Sequence, residues 1–130
     1  MAKNIFVSYK FTDQEIVKAV SSMLQNNGGS IDGKFVYVTR DVSSQGENAI
    51  DNEINSVMEG CDKALFIIGQ NSHNSPWIKR EVQLAISKGL KVVVTHINDT
   101  NYGIPTDLNY TNYTSAQWNM NSLSYNLNKL

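Results

Sequence analysis

A glutamate one helical turn after a tryptophan is the feature of this chain best suited to chemistry. Trp77 and Glu81 lie in "NSPWIKREVQLAISKG", which runs from Asn74 to Gly89. Ser75 followed by Pro76 signals a helix start, and a four-residue spacing sends both side chains to the same side. A carboxylate under an indole is either a solvated surface charge or a working group that stabilises positive charge. The helix start and the adjacent cations Lys79 and Arg80 favour the ionised form, while the indole desolvates it. The first pair is expected to win. Glu81 is read as lying off the apolar stripe of its helix, so that replacing it should leave the fold intact.

The elements around this helix alternate in type. "NIFVSY", "KFVYVTRD", "KALFIIG" and "KVVVTHI" are short apolar runs with β-branched and aromatic residues, and read as strands. Between them lie three helical patterns. In the first, Ile16, Val20, Met23 and Leu24 form the apolar stripe, Thr12 and Glu15 a capping box, and Gly28 the stop. In the second, Ile50, Ile54, Val57 and Met58 form the stripe, Ser44 and Glu47 the box, and Gly60 the stop. In the third, Ile78, Val82, Ala85 and Ile86 face the sheet and Gly89 caps the end. Beyond His96 the pattern weakens. A short edge strand is expected near "YTSAQ", and a terminal helix in "NMNSLSYNLNKL" with Leu123, Leu127 and Leu130 in phase.

Alternation of this kind implies an α/β fold with a parallel sheet between two layers of helices. The leading topology is a flavodoxin-like three-layer sandwich of four to five strands in the order 2-1-3-4-5, as one domain over 1–130. Ligands then bind where the chain reverses direction, at the carboxyl ends of the first and third strands. The loops selected are "SYKFTD" and "GQNSHNSPW", and the second leads into Glu81.

Composition narrows the classes. The chain has 130 residues, 41% hydrophobic and 18% charged, with a net charge of −1. It reads as globular, with no basic footprint for nucleic acid and no run long enough to span a membrane. The apolar first strand follows the start too closely for a secretory signal, and the single Cys61 allows no internal disulfide, so a cytoplasmic location is expected. Cys61 itself reads as a buried structural thiol.

Several chemistries of this fold fail at the switch-point loops. A phosphoacceptor site needs an acid at the end of the third strand, which instead reads "FIIGQ". A flavin-phosphate loop, a nucleotide-binding glycine loop and a nucleophile elbow are all missing. His73 and His96 give no metal spacing. What remains is one carboxylate, an aromatic neighbour and polar loops. That set suits cleavage of an N-glycosidic bond, where the anomeric carbon gains oxocarbenium character. If the leaving group is already cationic, as nicotinamide is in NAD+, no general acid is needed and one carboxylate suffices.

At these residues the chain resembles TIR domains. "NIFVSYKFTDQE" is similar to their first signature box, and "TRDVSSQGENAIDNEINSVMEGCDKALFIIGQNSHNSPWIKREVQLAISKG" to their middle, with Arg40-Asp41, Gly46 and the Ser-x-Trp-x-x-x-Glu turn in order. The likeness covers about residues 3–97 and is greatest to the short TIR-like proteins of bacterial Thoeris antiphage systems. It implies an NAD+ nucleosidase or ADP-ribosyl cyclase type of hydrolase that makes a cyclic or conjugated ADP-ribose signal. It further implies an effector protein reached through that nucleotide, self-assembly on activation, and NAD+ as substrate with no other cofactor and no metal. Carried over by position, the catalytic residue is Glu81, and the substrate-binding residues are Ser8, Tyr9, Lys10, Arg40, Asp41 and Trp77. Two other readings stay open: a non-enzymatic interaction module, and a nucleoside deoxyribosyltransferase-like enzyme. Each residue also has a plainer role, with Trp77 and Tyr9 as packing, Lys10 as an exposed cation, and Arg40 paired with Asp41 or Glu47.

Overall fold

A computed structural model describes residues 4–9, 15–19, 22, 34–36, 46–69, 76–100, 103–106, 108 and 111–129. Five strands form one sheet in the order β2-β1-β3-β4-β5, with every neighbouring pair parallel. The strands are β1 (Asn4–Ser8), β2 (Lys34–Val36), β3 (Cys61–Ile68), β4 (Lys91–His96) and β5 (Tyr113–Ala116). The helices are α1, described over 15–19, then α2 (Glu47–Met58), α3 (Pro76–Ser87) and α4 (Met120–Lys129). This is the expected order, with the edge strand and the terminal helix both present.

Strand side chains alternate between faces, and two cores result. Phe6, Ala64, Phe66, Ile68, Val92 and Val94 pack with α2 and α3 on one face. Ile5, Val7, Leu65, Ile67 and Val93 pack with Val17 of α1 and with Leu123 and Leu127 of α4 on the other. The near-continuous burial of β3 and β4 follows, because both faces are covered.

Three details differ from the sequence reading. Among the described residues of α1 the buried one is Val17, while Ile16 is 44% exposed. Val20, Met23, Leu24 and Gly28 lie outside the described residues, as do Thr12 and Ser44 of the capping boxes. The helix α2 starts later than a Ser44 cap would put it. Its N-cap is Gly46, with no side-chain cap hydrogen bond, and at φ +99° the chain turns there in a conformation that only glycine adopts freely. Next, β3 begins at Cys61, directly after Gly60 at φ +84°, two residues before the expected Lys63. Of the long second strand only β2, Lys34–Val36, is described.

The C-terminal part is fastened by polar contacts. The Asn119 side chain accepts the Ser122 N–H at 2.7 Å, capping the start of α4. A 3-10 turn at Ile97–Asp99 follows β4, with Asn98 and Asp99 both at positive φ, where Asn and Asp are the best-tolerated non-glycine residues. The Asp99 carboxylate accepts the Trp118 N–H at 2.7 Å, so this turn holds the link between β5 and α4.

Candidate active site

The alternation of β1 decides which of its residues reach α3. Phe6 and Ser8 face the α2–α3 layer, and Ile5, Val7 and Tyr9 face away. Along α3 the buried residues are Trp77, Ile78, Glu81, Val82 and Ala85. Glu81 is therefore inside the apolar stripe, one turn after Trp77 and one turn before Ala85. The expectation that it lies off that stripe is corrected here: it is only 2% exposed.

Ser8 ends β1 at the carboxyl edge of the sheet, where it pairs with Phe66 of β3. Its hydroxyl donates to Glu81 Oε1 at 2.8 Å, and the bond is buried. The Trp77 side chain donates a second hydrogen bond to the same carboxyl group. Two neutral donors thus meet one buried carboxyl group. Burial pushes Glu81 from 4.5 up to about 8, and the Ser8 and Trp77 hydrogen bonds pull against that rise without cancelling it.

The expectation that nearby cations keep Glu81 ionised is also corrected. Lys79 is exposed. Arg80 turns to α2, where Nε and Nη2 donate to the two carboxylate oxygens of Asp51 at 2.9 and 2.5 Å, and Nη1 donates to Gln83 at 2.8 Å. That bidentate hydrogen bond, with the guanidinium charge, holds Asp51 below its ordinary range. The helix start gives little help either, since its field fades within the first turn and Glu81 is already in the second.

The structure brings together Ser8, Trp77 and Glu81 of the residues carried over from the resemblance. Tyr9 is buried on the opposite face, in the core that includes Val17, Phe35 and Ile97. Lys10, Arg40 and Asp41 lie outside the described residues, as does His73. His96 ends β4 and is partly buried. Cys61 is half-buried rather than fully buried. Its thiol donates weakly to the Val57 carbonyl at 3.7 Å, and burial pushes it up to about 11, so it stays a thiol at neutral pH. Among the described residues no group of His, Cys, Asp and Glu could hold a metal ion, and no helix is long and apolar enough to cross a membrane.

Sequence reasoning missed Lys63, which is buried in β3 and donates from Nζ to the Leu127 carbonyl at 2.5 Å near the end of α4. Its position in an apolar strand was the available signal. For Glu81 the signal was its spacing, four from both Trp77 and Ala85.

The family model for the TIR-like domain of Thoeris protein ThsB matches residues 6–102. The chain belongs to that family. This TIR-like domain is 26% identical over 105 residues to ThsB1 of Bacillus cereus (strain MSX-D12), named as a provisional cyclic ADP-D-ribose synthase. The match covers 75% of this chain and 53% of that protein, so the chain spans about half the length of this curated relative. In fold, the TIR-like domain is similar to the crystal structure of the TIR domain of the Toll-related receptor TRR-2 from Hydra magnipapillata. That likeness has a TM-score of 0.61 at 14% identity, over 85% of this chain and 82% of that one.

Proposed function

We propose that this TIR-like domain cleaves the nicotinamide–ribose bond of NAD+ and passes the ADP-ribose part on as a cyclic or conjugated signal in Thoeris antiphage defence. The observation that carries this reading is the dry carboxyl group of Glu81 at the switch point, held by Ser8 and Trp77. Its relative ThsB1, named for cyclic ADP-D-ribose synthesis, supports the product class.

The chemistry follows from charge. Nicotinamide leaves NAD+ as a neutral molecule from a cationic ring, so positive charge moves onto the ribose as the bond stretches. A carboxylate in a water-poor pocket stabilises that charge more strongly than it would in water. The free pocket favours a protonated Glu81, and a bound cation shifts the balance toward the anion. Substrate therefore supplies the counter-charge that makes the catalytic form. Trp77 closes one side of the carboxyl group, Lys10 is assigned to the pyrophosphate, and Arg40 and Asp41 complete the substrate set, while Tyr9, buried on the other face of the sheet, is left out of it.

The signal nucleotide acts on a separate effector protein, and self-assembly raises activity by completing the site. The test is incubation of the purified domain with NAD+ at several protein concentrations, with product identification by mass spectrometry. ADP-ribose-derived products that disappear in Glu81→Gln support the reading. A folded domain that leaves NAD+ intact at every concentration, with or without phage-infected extract, supports an interaction module instead.

A further inference from the structure

We propose that Ser8 is a positioning residue for Glu81: its hydroxyl fixes the carboxyl rotamer and stabilises the ionised form, and it does not bind substrate. This rests on the reading of Glu81 as the catalytic carboxylate. Ser8 is 1% exposed, and its hydroxyl is spent on Glu81 Oε1 at 2.8 Å. Its one proton is thus committed to Glu81 and not to a ligand.

Ser8 belongs to a strand flanked by β2 on one side and β3 on the other, so the sheet itself holds the donor in place. A glutamate side chain has three rotatable bonds. A donor on a rigid strand selects one arrangement of the carboxyl group. A hydroxyl also bonds a carboxylate oxygen more strongly than a neutral carboxyl oxygen, so the contact favours the charged form.

Other charges near this pocket are accounted for among the described residues. Arg80 is engaged with Asp51 and Lys79 is exposed. Lys63 belongs by strand alternation to the other face and bonds α4. His96 ends β4 on the α3 face and is shared by every variant below.

The experiment follows the Glu81 side-chain carboxyl carbon by NMR titration in the full chain, for wild type, Ser8→Ala and Ser8→Cys, with Glu81→Gln to assign the signal. In Ser8→Ala the Glu81 midpoint is expected to rise by about one to two pH units. Ser8→Cys keeps similar volume with a weaker donor and should fall between, which preserves the test if the alanine variant folds poorly. NAD+ turnover at pH 7 should drop about tenfold per unit of rise, and the gap to wild type should narrow as pH increases. An unmoved Glu81 midpoint overturns the proposal, as does a loss of turnover that is the same at every pH. A shifted midpoint with no NAD+ cleavage by any form upholds the hold of Ser8 on Glu81 and sinks the NAD+ reading.

Discussion

Ser8 and Glu81 are 73 positions apart and meet through one buried hydrogen bond of 2.8 Å. Strand order makes the meeting possible. Because β3 lies beside β1, the helix that leaves β3 returns over the end of β1 and sets its second turn against the last residue of that strand.

Glu81→Gln keeps the shape of the side chain and its ability to accept from Ser8 and Trp77, but it cannot carry charge. NAD+ turnover should fall by about 10²–10³, as loss of one electrostatic stabiliser typically produces. Substrate consumption and nucleotide product are the readouts. A folded variant with near-wild-type turnover would remove Glu81 from the chemistry.

The same substitution reports on stability. Glu81 is raised from 4.5 to about 8, so between those values the folded chain holds a proton that the unfolded chain has lost. Stability from this group is full below about pH 4.5 and is lost as pH rises to about 8, at up to about 1.4 kcal/mol per pH unit. Glu81→Gln removes this dependence. Its melting temperature should approach that of wild type in mild acid and pass above it at pH 8. A parallel pH dependence in the two proteins would show that Glu81 is not the group responsible.

Arg80 and Asp51 link α3 to α2 through a partly exposed ion pair. In a double-mutant cycle with Arg80→Gln and Asp51→Asn, the coupling should be about 0.5–1 kcal/mol in chemical denaturation. The pH profile of NAD+ cleavage should stay unchanged in Arg80→Gln, because its guanidinium is engaged by Asp51 and Gln83. A profile displaced by a unit or more would return Arg80 to the role of counter-ion.

Lys63→Met keeps the apolar stem in the core and removes the donor to the Leu127 carbonyl. Loss of a hydrogen bond from a charged donor is expected to cost about 1.5–3 kcal/mol. Urea denaturation gives the value, and hydrogen exchange should show earlier opening of α4 than of α3. Unchanged exchange in α4 would mean that packing of Leu123 and Leu127 alone retains the helix.

Much of this was readable from residue order. The alternating apolar runs specify a parallel sheet, and the period of α3 brings Trp77 and Glu81 to one side. Four things were harder to read. Whether Glu81 is wet or dry depends on which face of α3 meets the sheet, and a stripe drawn through Ile78, Val82, Ala85 and Ile86 left its neighbours at Trp77 and Glu81 outside. The partner of Arg80 comes from another helix, so adjacency to Glu81 in sequence was misleading. The start of α2 depends on backbone angles at Gly46, where a Ser44 cap looked equally suitable. The buried lysine in β3 has no local explanation at all, because its acceptor is supplied 64 positions later.

Adjacent residues Ser8 and Tyr9 serve opposite sides of the sheet, one the layer of α2 and α3 and the other the second core. Deleting a single residue in β1 would bring the bulky phenol against the carboxyl group, and inserting one would put the small hydroxyl in the space the ring fills. The spelling of this strand is thus punctuated by chemistry as well as packing: its apolar letters can be interchanged with one another, while its reading frame cannot move by one.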